Sequence, residues 1–144
     1  MSVDQTTEAV ARGVLEEVRE DRLVLAIAHT DYRLHLVPTV PAARLQPHLG
    51  KRVKGTIHAR ALRIHPAAGG GRFIEPVWGT PRIVAGKVLS ADPGTKEAVI
   101  DLTVPFVVRT MEEQVFEGIL EPGRLVNFYV ETGATFTPVE GMRE

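Results

Sequence analysis

The sequence repeats itself at one fixed distance. Gly13 and Gly50 stand 37 residues apart, and Gly86 and Gly123 stand 37 apart as well. A shift of 73 lays Gly50-Lys51-Arg52-Val53 on Gly123-Arg124-Leu125-Val126 and brings Gly13-Val14-Leu15 to Gly86-Lys87-Val88. Under the same shift Ile57 falls on Val130, Ala59 on Thr132 and Ala61 on Ala134. Solenoids stack shorter repeats in longer arrays, so two copies of about 70 residues describe two compact units. Units this small hold few buried side chains, and each apolar group must be used.

The pattern inside each copy is that of strands. In the first copy residues 10–18, 22–28, 33–37 and 52–59 read as strands, with Gly13 marking a bend. A two-residue hairpin tip at Asp31-Tyr32 would pair Ala28 with His35. Ala42 to Leu45 allows one helical turn, opened by Pro41 and stopped by Pro47. In the second copy residues 83–90, 98–104, 106–109, 125–130 and 134–139 read as strands. Between them the period changes. Met111, Val115 and Ile119 are four apart, Thr110 and Glu113 have capping-box spacing, and Pro122-Gly123 follows, which predicts an amphipathic helix over 110–120.

Three strands, a helix and a further strand make the plan of the OB-fold. The expectation is an all-β chain of two tandem OB-like Greek-key barrels made by internal duplication, with a short helix between the third and fourth strands of the second copy. The boundaries are a disordered N-terminus at 1–9, barrels at 10–65 and 83–139, a linker at 66–82 and a tail at 140–144. The alternative is one larger barrel or sandwich that shares strands from both copies. Two such copies resemble tandem molybdate-binding barrels of the Mop type. That family carries a Lys-Ala-Ser-Ser-Val signature near the end of each copy. Its counterparts here are His58-Ala59-Arg60-Ala61-Leu62 and Glu131-Thr132-Gly133-Ala134-Thr135, which do not match it, so the resemblance assigns no binding residue.

The linker has two parts. Pro66-Ala67-Ala68-Gly69-Gly70-Gly71 is flexible by composition. The rest holds Phe73, Ile74, Val77 and the only tryptophan, Trp78. These are expected to cover a barrel end, with Trp78 mostly buried. In the other reading Phe73, Val77 and Trp78 form an apolar binding patch.

Charge gives the clearest functional signal. Between Asp31 and Glu75 there is no acid, while eight Lys/Arg and four histidines fall in that stretch. Alternation along the fourth strand puts Arg52, Lys54, His58 and Arg60 on one face and Val53, Ile57 and Ala59 on the other. Residues 1–72 hold eleven Lys/Arg against seven Asp/Glu, and residues 73–144 hold six against eleven. Glu112, Glu113, Glu117 and Glu121 therefore offer an acidic surface on which the basic ladder could dock. A nucleic-acid backbone is the rival partner, but stacking aromatics are missing inside the basic stretch, and only Tyr32 and Phe73 flank it.

Other chemistry finds little material. There is no cysteine, serine occurs only at Ser2 and Ser90, and no two histidines have the spacing of a zinc motif. Gly69-Gly70-Gly71 lacks the Lys-Ser/Thr of a phosphate loop. No metal and no cofactor is expected. Residues 1–20 lack the apolar core of a signal peptide, and no apolar run reaches membrane-spanning length, which predicts a cytoplasmic protein. The function expected is non-enzymatic binding or assembly, with a protein partner or a second copy. The first alternative is nucleic-acid or polyanion binding along Arg52, Lys54, His58 and Arg60. The second is binding of a small ligand or oxyanion where the barrels meet.

Overall fold

The computed structural model describes residues 9–143. The strands are β1 (Val10–Val18), β2 (Leu23–Ile27), β3 (Arg33–Pro38), β4 (Arg52–Pro66), β5 (Phe73–Glu75), β6 (Trp78–Gly79), β7 (Ile83–Asp92), β8 (Glu97–Asp101), β9 (Pro105–Arg109), β10 (Leu125–Val130) and β11 (Thr135–Arg143). One short helix, α1 (Ala42–Leu45), lies between β3 and β4. All eleven strands belong to one hydrogen-bonded sheet, and that sheet closes on itself. One circuit of neighbours runs β1-β2-β3-β11-β4 and returns to β1; the other runs β7-β8-β9-β4-β10 and returns to β7.

The strands do not sort by half. β4 is 15 residues long and serves both circuits. Its first part pairs with β1 and β11, and its second part with β9 and β10. β11, from the end of the chain, completes the first circuit beside β3 and β4. The expected fourth strand at 52–59 thus continues to Pro66. Val53, Ile57, Ala59 and Ala61 keep their alternation toward the core. The phase then shifts at an irregularity where Arg63 takes a φ of 54°, so that the next core residue is Ile64.

Local hydrogen bonds recur at the 73-residue distance. Gly50 N–H donates to the Leu15 carbonyl at 2.7 Å, and Gly123 N–H donates to the Val88 carbonyl at 2.8 Å. Leu15 N–H donates to Lys51, and Val88 N–H to Arg124. β1 faces β2 with a bulge between Leu15 and Glu17; β7 faces β8 with one between Val88 and Ser90. Gly13 pairs with Val53 as Gly86 pairs with Val126. Both glycines are required by contact. A Cβ at Gly13 would lie 2.5 Å from the Ala26 carbonyl oxygen, and one at Gly86 2.2 Å from that of Asp101. The buried side chains form a continuous core through both circuits, from Leu15, Leu25 and Leu36 to Ile100, Phe106 and Phe128.

Several expectations are corrected. Residues 110–120 do not form the amphipathic helix; they hold only a 3-10 turn at Glu113–Phe116. Val115 and Leu120, five apart, are the buried pair, with Leu120 N–H donating to the Val115 carbonyl, while Met111 is exposed. Gly118 at a φ of 92° interrupts any helical run. The Thr110 hydroxyl accepts the Glu112 N–H, and Glu113 turns away to Lys96 at 3.3 Å, so no capping box forms. The helical turn expected at Ala42–Leu45 does form behind Pro41, but Pro47 does not stop it: a 3-10 turn at Gln46–His48 continues past it. The hairpin after β2 is wider than two residues, and His35 pairs with Val24. The expectation of disorder over the first eight residues lies outside the described residues; Ala9 is buried against Val99 and Val107. Residues 140–143 continue β11, and Met142 is buried.

Candidate functional site

Where β4 crosses from one circuit to the other, it runs parallel to β9. His58 stands beside Val107, Ala59 beside Val108 and Arg60 beside Arg109. Val108 and Ala59 are buried, while Arg60 and Arg109 are exposed. Two guanidinium groups thus stand in register on adjacent strands of one outer face. On the far side of β9, Glu97 of β8 pairs with Arg109. On the other side of β4, Thr135 of β11 pairs with His58.

The segment from Glu131 to Gly133, between β10 and β11, turns over this crossing. Gly133 takes a φ of 107°, and Glu131 N–H donates to the Arg60 carbonyl at 2.9 Å. The Glu131 carboxylate also meets the Arg60 guanidinium at 3.4 Å. A cleft of about 290 Å³ results, lined by His58, Ala59, Arg60, Glu97, Val107, Arg109, Glu131, Thr132, Gly133 and Thr135. A neighbouring hollow of about 450 Å³ shares Arg60, Arg109 and Glu131 and adds Leu62, Arg63, Met111 and Glu112. Among the described residues, no ion pair holds Arg109, and no three His, Asp or Glu side chains converge as a metal set.

The basic ladder divides at this point. His58 and Arg60 line the cleft. Arg52 and Lys54 lie further back on β4, opposite Val14 and Arg12 of β1. Three of the four acids expected to receive the ladder have other partners. Glu112 accepts the Ile64 N–H at 3.1 Å, Glu113 meets Lys96, and Glu121 meets Arg124 at 3.8 Å. Sequence reading missed Glu97, Arg109, Glu131, Thr132 and Thr135 as one group. They come from β8, β9, the chain between β10 and β11 and the start of β11, and no turn signal marks a parallel pairing.

The linker cluster is also corrected. Trp78 is 69% exposed and Val77 46%, Phe73 is half-buried, and only Ile74 enters the core. The core closes without the indole. Trp78 lies against the outside instead: its N–H donates to the Asp31 carbonyl at 3.0 Å, and the Arg33 guanidinium sits 6.0 Å above its ring. β6 pairs with β3 at the same place.

A second, smaller cleft of about 160 Å³ lies in the first circuit, where β3 runs parallel to β11. Its lining includes Asp21, Arg22, His35, Val37, Thr80, Thr132 and Gly133. At its rim Arg22 grips Glu17 through two nitrogens, at 2.7 and 3.2 Å. The hydrogen bond from Arg22 holds the Glu17 carboxyl below its usual range, with the charges of Arg22, Arg19 and His35 acting in the same direction.

No protein-family model matches the chain, and no curated protein matches it. Among solved structures it is similar to the cytoplasmic molybdate-binding protein ModG, crystallised with molybdate bound, at 17% identity and a TM-score of 0.49, over 92% of this chain and 94% of that one. Among the described residues no helix is long and apolar enough to cross a membrane.

Proposed function

We propose that the chain is a duplicated pair of OB-like barrels that exchange their last strands, and that it is a non-enzymatic protein binding a small oxyanion in the cleft between β4 and β9. The duplication is supported by the hydrogen bonds and bulges that recur at the same distance. One observation carries the binding reading: Arg60 and Arg109 stand in register on adjacent strands and line one cleft. Like charges placed opposite each other are unfavourable in a sheet. An oxyanion between them removes that repulsion and accepts the forked N–H groups that guanidinium offers. His58 and the hydroxyls of Thr132 and Thr135 complete a ring of donors around a volume suited to a single small ion.

Glu97 and Glu131 share the cleft, so the site selects by direction of donors and not by excess charge. The test is calorimetric titration with phosphate, sulfate, molybdate and tungstate at fixed salt. Arg109→Ala should weaken the best ion by about tenfold or more, the loss of a charge-assisted hydrogen bond. Glu131→Gln should strengthen the fully deprotonated ions, because a like charge is removed. If Arg109→Ala binds every ion as the parent does, the reading is wrong.

A second reading, assembly with another copy of the chain, is favoured by the exposed Trp78 and Val77. It requires that Trp78→Ser lower the mass in solution. An unchanged mass excludes it.

A further inference from the structure

The outer face of β4, β10, β7 and β5 carries a groove that the oxyanion reading does not use. Its register runs straight across β10, β7 and β5, while β4 and β10 slip by one residue between Asn127 and Tyr129. His65 pairs with Asn127, Asn127 with Ala85, and Ala85 with Phe73. Two residues along, Tyr129 pairs with Ile83. The small side chain of Ala85 leaves a dip between taller neighbours, and the cavity there measures about 260 Å³. Phe73 flanks it from β5 and Tyr129, 49% exposed, from β10. With β7 between them, these strands lie two spacings apart, about 9.5 Å. Phe73 and Tyr129 are offset by two residues along these strands, so a flat ring lying in the groove meets one on each side, diagonally.

Asn127 supplies direction. Its side chain is half-buried and lines the groove, and among the described residues nothing hydrogen-bonds to its carboxamide. A carboxamide presents a donor beside an acceptor, the pattern that pairs with the N6 and N7 edge of adenine. Over the groove passes Gly69-Gly70-Gly71. Only Gly70, at a φ of 95°, needs glycine for its backbone; a Cβ at Gly69 or Gly71 would meet nothing within 4 Å. Neither crowding nor backbone geometry demands glycine at those two positions. What they contribute is a strap with no side chain to fill the opening.

We propose that this groove binds a planar heteroaromatic ring of the purine kind, stacked between Phe73 and Tyr129 and read by Asn127. The ring can come from a free nucleoside or from a base in a single strand, and the same side chains would receive either.

The test uses the full chain and adenosine, with amide NMR shifts as the readout. Saturable shifts at the Asn127 side chain and at Gly69 to Gly71 are expected. Asn127→Ala and Tyr129→Ala should each weaken adenosine by about fivefold or more, the scale on which one base–aromatic stack contributes. Arg109→Ala, in the oxyanion cleft, should leave adenosine binding unchanged, so the two sites fail independently. A six-residue oligo-dA binding far more tightly than adenosine identifies a strand as the source; equal affinity identifies the free nucleoside. The proposal is overturned if adenosine moves none of these amides, or if Asn127→Ala, with an unchanged melting temperature, binds as well as the parent. Equal shifts from toluene overturn it too, since they would mark an unselective apolar surface. Should Tyr129→Ala fail to fold, Asn127→Ala and Asn127→Asp decide the matter.

Discussion

In the second circuit the parallel pair β4–β9 sets Arg60 beside Arg109; in the first, the parallel pair β3–β11 sets Val37 beside Thr135. The two pairs occupy matching places in their circuits, and a cleft opens at each. One cleft carries two guanidiniums on its floor. The other is lined by Val37 and Thr132 and holds Asp21, Arg22 and His35, of which Arg22 is already tied to Glu17. Backbone pairing therefore decides where a cleft lies, and a few outward side chains decide what it can hold. Thr132 and Gly133 line both clefts, because the turn before β11 passes over the crossing.

The largest effect expected concerns what the circuits share. Phe136 of β11 is fully buried opposite Ile57 of β4. Phe136→Ala should cost about 3–5 kcal/mol, the usual loss for a buried aromatic. Because β4 belongs to both circuits, calorimetry should show one transition displaced as a whole. Two separate transitions would mean that the circuits fold independently.

A smaller effect compares matched glycines. Gly86→Ala meets the Asp101 carbonyl and Gly13→Ala the Ala26 carbonyl, the former more closely. Each should destabilise by about 1–3 kcal/mol as overpacking does, with Gly86→Ala the worse. Denaturant midpoints measure the order, and a harmless Gly86→Ala would show that β7 and β8 can separate without loss.

At the next position along, the circuits differ in charge. Glu17 pairs with Val24, as Ser90 pairs with Val99. The Glu17 carboxyl titrates low because Arg22 holds it. A depressed carboxyl stabilises the fold above its unfolded-state pKa, and that contribution is lost as pH falls through its folded-state value. Carboxyl NMR of Glu17 should therefore show late protonation on acidification, and Arg22→Ala should move it back up toward the ordinary range. A titration unaltered by Arg22→Ala would remove the pair from consideration. Least of all should Ser90→Ala matter. Among the described residues the buried Ser90 hydroxyl has no partner, so replacing it should leave the melting temperature unchanged or slightly raised.

Most strands were legible because glycines under contact constraint and alternating side chains leave marks in sequence. The β4 pattern was legible too: Arg52, Lys54, His58 and Arg60 face outward as alternation requires. Parallel partners were not. Nothing in the residues near Arg60 points to Arg109, since the pairing spans a third of the chain and no hairpin announces it. The helix expected at 110–120 failed for a local reason, a period of four interrupted at Gly118. Trp78 misled because a large ring in a small protein suggests core, whereas its N–H and the Arg33 stack hold it well on the outside.

The path of β4 has a consequence for how the chain can be divided. Cut between Pro66 and Phe73, the first fragment keeps a long strand with half its length unsheathed, and the second lacks a stave. Neither piece is a finished vessel, but each holds what the other needs, so mixed fragments should rejoin into the parent form. The same complementarity makes crowded refolding hazardous. A β11 that finds the wrong molecule's β3 and β4 links two chains as readily as it closes one.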